Sequence, residues 1–303
     1  MSNTTIAILI STKNRKSDLA ITLHKIEKLR NRNDVVCVVF DDGSTDGTYE
    51  FVQQDFPDVI IKRNKVSKGY LYCRNIMLNE TSSDYAISLD DDAYFLTENP
   101  IEIIQHYFDQ NSKCGVIAGR IFWDCIEPEN KHSNDKSQVV KGFVGCGHVW
   151  RMKAWRDIPN YPEWFHFYGE ESFASLQLLM QAWEVHYVPE LLVQHRIDRV
   201  ERAKSKTNIA FRYRSAIRAD WYNYFLFFPL NEIPRKMAYS IWMQFKNKIF
   251  RGNFKIIVPL FLAIMDLIVA IPKLTKHRNG LSSAEYEKYL KLNEAKIYWE
   301  PEK

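Results

Sequence analysis

Across the first 120 residues, short apolar runs rich in β-branched side chains alternate with stretches of helical periodicity. That alternation narrows the fold more than any other feature of the chain. Residues 5–10, 35–40, 59–62, 85–89 and 115–118 read as strands. Between the first two, Leu19, Leu23, Ile26 and Leu29 share one face of an amphipathic helix that starts near Ser17 and Asp18. Residues 48–55, 70–79 and 100–110 are the later helices, and 172–182 is a further helical stretch. Such alternation predicts an α/β fold with a mostly parallel sheet covered on both faces, whose ligands collect beyond the carboxyl ends of the strands.

Acidic clusters stand at those ends. Asp41 and Asp42 (DDGS) follow the second strand, and Asp90, Asp91 and Asp92 follow the strand 85–89. Three adjacent carboxylates repel one another, so they form either a solvated turn or a site for a hard divalent cation. If strand geometry continues, Asp90 and Asp92 point the same way and Asp91 points aside. His195 ends the last sheet-like run (185–188 and 191–195), where it is either a hydrogen-bonded structural residue or an imidazole ligand that could complete a site opened by Asp92. Glu170 and Glu171 precede the helix 172–182. Acidic residues there complement the helix dipole, and one that faces the crevice could take a proton from a hydroxyl. Trp164, Phe165, Phe167 and Tyr168 would supply an apolar wall beside them. Residues 123–141 read as a long polar loop and 142–150 (GFVGCGHVW) as a Gly-punctuated strand.

Together these segments resemble the family 2 glycosyltransferases, over roughly residues 6–196. ILISTKNR (Ile8 to Arg15) is similar to the family's first strand and turn, and FDDGSTDG (Phe40 to Gly47) to its nucleotide-binding loop. Lys68-Gly69 and Arg74-Asn75 match the next helix motif, and LDDDA matches the metal-binding DxD. YGEE (Tyr168 to Glu171), YVPE (Tyr187 to Glu190) and His195 match the acceptor-side block. The resemblance implies a GT-A (Rossmann-like) fold that binds a nucleoside-diphosphate sugar, UDP-, dTDP- or GDP-linked. Ser11, Asp41 and Asp42 would contact base and ribose, with Asp42 favoured for the base. Lys68 and Arg74 would face the nucleotide or its diphosphate, and Asp91 would lie near the ribose. Asp90, Asp92 and His195 would hold Mn²⁺ or Mg²⁺. Glu171 would be the general base for an inverting transfer to a hydroxyl of a glycan or lipid-linked acceptor, in surface polysaccharide synthesis, with Trp164 and Glu170 on the acceptor side. A sugar nucleotidyltransferase on a related sheet is an alternative, although its glycine- and basic-rich N-terminal loop is replaced by Ser11 to Arg15. A non-catalytic, membrane-bound nucleotide-sugar scaffold is another.

The overall charge of +4 conceals a division: residues 1–195 carry 20 basic and 27 acidic side chains, whereas 196–303 carry 21 and 10. We therefore expect a catalytic part, 1–196, and a basic, aromatic helical appendage, 197–303, with helices over 209–227, 233–250 and 254–271 interrupted near Pro229, Pro234, Gly252 and Pro272. Its cations (Arg199, Arg202, Lys204, Lys206, Arg212, Arg214, Arg218) and its aromatics suit a membrane surface. A solvated helical cap and a homodimer helix are the other readings, and no nucleic-acid module is recognisable. The apolar run 256–271 is shorter than the ~20 residues a spanning helix needs. Five scattered cysteines without a CxxC pair suit free thiols in a reducing compartment, and the apolar run 6–10 is too short for a signal sequence. The expected location is cytoplasmic, peripheral at the inner face of the cell membrane.

Overall fold

The computed structural model describes residues 4–197, 206–294 and 296. Strands β1 (Ile6–Thr12), β2 (Val35–Asp41), β3 (Ile60–Arg63) and β4 (Tyr85–Asp90) pair in parallel in the order β3-β2-β1-β4. Helices α1 (Lys16–Lys25), α2 (Glu27–Arg30), α3 (Thr48–Asp55) and α4 (Tyr70–Glu80) connect them. The apolar run of β1 does not alternate with polar residues because the strand is covered on both faces, and Ile6, Ile8 and Ile10 are fully buried.

Beyond β4 the sheet becomes mixed. After β5 (Ala93–Phe95) and α5 (Pro100–Gln110) come β6 (Cys114–Trp123), β7 (Gln138–Val140), β8 (His148–Arg151), α6 (Met152–Arg156), α7 (Glu170–Met180) and β9 (Glu184–His195). The order continues β8-β6-β9-β5: β8 runs antiparallel to β4 and β6, and β9 runs parallel to β6. The short β5 and β7 both pair antiparallel with β9. Three sequence expectations change here. Residues 138–140, within the expected loop 123–141, form the strand β7. The runs 185–188 and 191–195 form one strand. Residues 142–147 form a loop rather than a strand, because Gly147 adopts φ +66° and presses against Val193, where a Cβ would sit 2.6 Å from Cγ2.

The C-terminal helices are α8 (Lys206–Phe227), α9 (Ile233–Asn247), α10 (Ile257–His277) and α11 (Ser283–Lys291). Their Trp221, Phe227, Leu260 and Ala263 join one apolar cluster with Trp155, Phe165 and Phe173. Asp266, the lone charge of the apolar run, accepts hydrogen bonds from Arg214 Nε and Nη2 (2.7 and 2.5 Å) and lies 3.6 Å from Arg218 Nη1. Contrary to the expected break, Pro272 lies inside α10. Its ring is exposed, while the buried Leu267 and Leu274 hold the helix against its neighbours on either side of it. Arg199, Arg202 and Lys204 lie outside the described residues, as does the side chain of Lys206. Arg214 and Arg218 turn inward to Asp266, and Arg212 donates to Tyr168 Oη at 2.9 Å, so these three do not form a free basic face. After α11 the chain returns to the sheet edge, where Lys141 N–H donates to the Asn293 carbonyl at 2.9 Å.

Candidate active site

Strand register assembles the acidic apex. Ser11 stands opposite Asp90, Thr12 opposite Asp41, and Ala93 opposite His195, which brings the end of β9 to the aspartates. The Arg196 N–H donates to the Asp92 carbonyl at 2.9 Å and locks this junction. Asp90 and Asp92 are each anchored through one oxygen by an arginine: Arg74 Nη2 donates to Asp90 Oδ1 and Arg15 Nη2 to Asp92 Oδ2, both at 2.6 Å. Their other oxygens converge on one ring nitrogen. His195 Nε2 lies 3.6 Å from Asp90 Oδ2 and 3.0 Å from Asp92 Oδ1. Asp91 points aside, taking a hydrogen bond from Thr12 Oγ1 (2.8 Å) and pairing with Arg15 Nε (3.0 Å).

The electrostatics follow from this packing. Burial pushes the Asp91 carboxyl up to about 7, since Arg15 offsets it only in part. Burial acts on Asp92 in the same sense but is outweighed by His195 and Arg15, which hold its carboxyl below the ordinary range. Burial opposes a charged His195 ring, yet Cys146, Asp92 and Asp90 around it raise its pKa to about 11.

Glu170 and Glu171 open α7, two residues earlier than the periodicity of 172–182 indicates, with Gly169 as N-cap. The buried Arg74 links them to the aspartates: its Nη1 lies 3.4 Å from Glu170 Oε1, which also accepts from Tyr70 Oη at 2.8 Å. Glu170 Oε2 is buried without a hydrogen-bond partner. Glu171 Oε1 occupies the space that a side chain at residue 145 would fill, a position 3.2 Å from Arg74 Nη1. Burial, reinforced by the neighbouring Glu170 charge, pushes the Glu171 carboxyl well above its ordinary value.

The remaining predicted site residues divide into those at the crevice and those engaged elsewhere. Asp41 is fully buried, with Oδ1 accepting from the Ser44 N–H (2.8 Å) and Oδ2 facing Arg63 Nε (3.4 Å). Asp42 accepts four hydrogen bonds, from Asn64 Nδ2, Ser67 Oγ and the Lys68 and Gly69 N–H groups, at 2.6–2.9 Å. Burial raises its pKa less than these donors lower it. The carboxylate is thus occupied in shaping the 64–69 loop. Lys68 Nζ is exposed and donates to Tyr72 Oη at 3.1 Å. Trp164 faces the C-terminal helices, against Tyr222 (5.4 Å between ring centroids) and under Lys273 Nζ (4.9 Å).

The profile of glycosyl transferase family 2 matches residues 7–175, from β1 through the first half of α7. The chain belongs to glycosyl transferase family 2. A relative, the SPbeta prophage-derived glycosyltransferase SunS of Bacillus subtilis (strain 168), is 36% identical over 62 residues, which span 20% of this chain and 15% of the relative. Among solved structures, S. aureus TarS 1–349 superposes with a TM-score of 0.57 at 14% identity, covering 90% of this chain and 83% of that one. The mannosyltransferase PcManGT from Pyrobaculum calidifontis, in complex with GDP-Man and Mn²⁺, gives 0.51 at 14% identity over 94% and 85%. The fold is therefore of the GT-A type.

Within this family 2 framework, sequence reasoning did not single out four residues at the apex. Arg15 lies in the first motif, but its partners Asp91 and Asp92 are more than seventy positions away. Tyr70 and Gly145 act through contacts with the glutamates and Arg74. Cys146 sits between two glycines, and its Sγ, an Asp90 oxygen and a His195 nitrogen lie within 4.8 Å of one another.

Proposed function

We propose that this protein is an inverting, divalent-cation-dependent glycosyltransferase that moves a sugar from a nucleoside diphosphate to a hydroxyl of a glycan or lipid-linked acceptor. One observation carries the reading: His195 Nε2 lies 3.6 Å from Asp90 Oδ2 and 3.0 Å from Asp92 Oδ1 at the carboxyl end of β4, and Asp90 is joined through Arg74 to a Glu170–Glu171 pair. Two metal–ligand bonds of about 2.1 Å diverging by about 90–120° separate their donor atoms by roughly 3.0–3.6 Å. The His195–Asp92 and His195–Asp90 distances of 3.0 and 3.6 Å suit this. Asp92 Oδ1 is moreover buried, facing His195 Nε2 at 3.0 Å. The residues fit Mn²⁺ or Mg²⁺, which when bound supplies positive charge to the departing diphosphate.

The other steps belong to the chain. Ser11, Asp41 and Asp91, with the loop shaped by Asp42, line the nucleotide side, and Lys68 and Arg74 add positive charge towards the diphosphate. Arg74 and Arg15 orient Asp90 and Asp92. Glu171, held as a strong base by burial and by Glu170, takes the acceptor's hydroxyl proton. The freed oxygen attacks the anomeric carbon from the face opposite the phosphate, the bond to the diphosphate oxygen breaks, and the configuration inverts. Trp164 and Glu170 stand behind the acceptor side.

Residues 1–196 would form the catalytic part and 197–303 its attachment. The helical stretch Phe254–His277 is long and apolar enough to cross a membrane, and one third of its most apolar part is buried. Exposed Trp242, Phe250, Phe254, Phe261 and Val269 adjoin exposed Lys246, Arg251, Lys255 and Lys276, which supports peripheral binding at an anionic inner membrane face. A role in surface polysaccharide synthesis accords with that location. The testing experiment pairs a transfer assay with donor binding. Glu171→Gln should lower transfer by about 10²–10⁴-fold while leaving donor affinity nearly unchanged. Normal turnover in this variant would refute the base assignment.

A further inference from the structure

We propose that Cys146, together with Asp90 and His195, is a direct ligand of the cation site, giving it a soft donor and a preference for the borderline ions Co²⁺ and Zn²⁺ over Mg²⁺ and Mn²⁺. This rests on the cation site proposed above.

The thiol's position is built into the fold. Gly145-Cys146-Gly147 forms a tight turn between the two strands that end in the cation ligands. The Gly147 N–H donates to the Ser88 carbonyl at 2.9 Å, two residues before Asp90 on β4. On the other side Gly147 packs against Val193, two residues before His195 on β9. The turn therefore cannot shift without moving both ligand-bearing strands. It presents the Cys146 Sγ within 4.8 Å of an Asp90 oxygen and a His195 ring nitrogen. Cys146 is 2% exposed and His195 8%, so bulk water competes poorly for these positions. Carboxylates alone suit Mg²⁺ and Mn²⁺, whereas an added thiolate beside imidazole favours later and softer first-row ions. Binding breaks the Cys146 S–H bond and the N–H bond at the ligating His195 nitrogen, forms metal–sulfur and metal–nitrogen bonds, and both protons leave to solvent.

Titrating the metal-free, full-length protein with Co²⁺ alone tests this. The wild type should develop a near-ultraviolet sulfur-to-cobalt charge-transfer band together with visible d–d bands. Cys146→Ser should lose the ultraviolet band and keep the visible ones. Its Zn²⁺ affinity should fall about tenfold or more, with Mn²⁺ affinity changed by less than about twofold. Cys125→Ser, which removes the exposed thiol, should leave the spectrum unchanged. Cobalt binding without a sulfur band in the wild type, or a band that survives Cys146→Ser, would overturn the proposal while leaving the cation site standing. Failure of both Co²⁺ and Mn²⁺ to bind would overturn the site itself. The wild-type spectrum decides the first arm even if the variant folds poorly.

Discussion

At the scale of single residues, the arrangement depends on an absent side chain. Glu171 Oε1 rests where a Cβ at Gly145 would be, next to Arg74. Gly145→Ala must displace the carboxylate, and a misplacement near 1 Å is expected to cost about 10²-fold in kcat; steady-state assays beside a thermal melt separate this from unfolding. The raised pKa of Glu171 has two further consequences. The acid limb of the kcat/KM profile should lie above the ordinary carboxylate range, because the base must first lose its proton. Ionisation also costs more in the folded than in the unfolded state. Stability therefore falls as pH rises from the unfolded glutamate pKa to the raised folded value, and the loss is complete above it. Glu171→Gln removes that loss. Its melting temperature should exceed the wild type's by more at mildly alkaline than at acid pH, whereas equal differences would contradict the burial account.

At the scale of elements, α8 joins the segment before α7 to the apolar helix α10. Asn223 Nδ2 donates to the Gly169 carbonyl (3.0 Å) at the head of α7, and Arg218 Nη2 to the Phe165 carbonyl (2.5 Å). Arg214 meets Asp266 with both ends of its fork. Because Arg214 is 36% exposed, solvent weakens this pair. Arg214→Met should cost about 1–2 kcal/mol in denaturant unfolding, and Asp266→Ala more, since it also leaves Arg218 facing an apolar helix. Periodicity made most of these elements legible: Thr48–Asp55 and Pro100–Gln110 lie where the sequence places them, because an apolar stripe of 3.6-residue period needs no distant information. Elements that exist only through a partner were not legible. β5 is three residues held by the end of β9, and β7 is three residues nearer the start of β9, both on the edge away from β6. The loop 142–147 looks like a strand in composition, but its path is set by the close approach of Gly147 to Val193. At the apex the aspartates, glutamates and histidine were visible as motifs, while Arg15 and Cys146 required the strand register that brings them there.

At the scale of the whole molecule, the charge division takes a more specific form. Much of the acidity of residues 1–195 that bears on function is gathered at one end of the sheet. Part of the basicity beyond is used internally, as Arg212, Arg214 and Arg218 show. The face left over is the apolar side of α10 with its flanking lysines. Val269→Asp and Phe261→Asp, at 78% and 60% exposed positions, should each weaken sedimentation with anionic vesicles about tenfold without lowering the melting temperature, and salt should weaken wild-type binding. A stable dimer without lipid that the same substitutions dissociate would instead assign this face to a second copy. The central claim is that the apex binds a nucleotide sugar through a divalent cation. It is tested most directly by melting the protein with UDP-, GDP- and dTDP-sugars, each with and without Mn²⁺. A clear rise in melting temperature is expected for one nucleotide class only when Mn²⁺ is also present, and its loss in Asp92→Ala. Stabilisation that ignores the metal, or that survives Asp92→Ala, would contradict it.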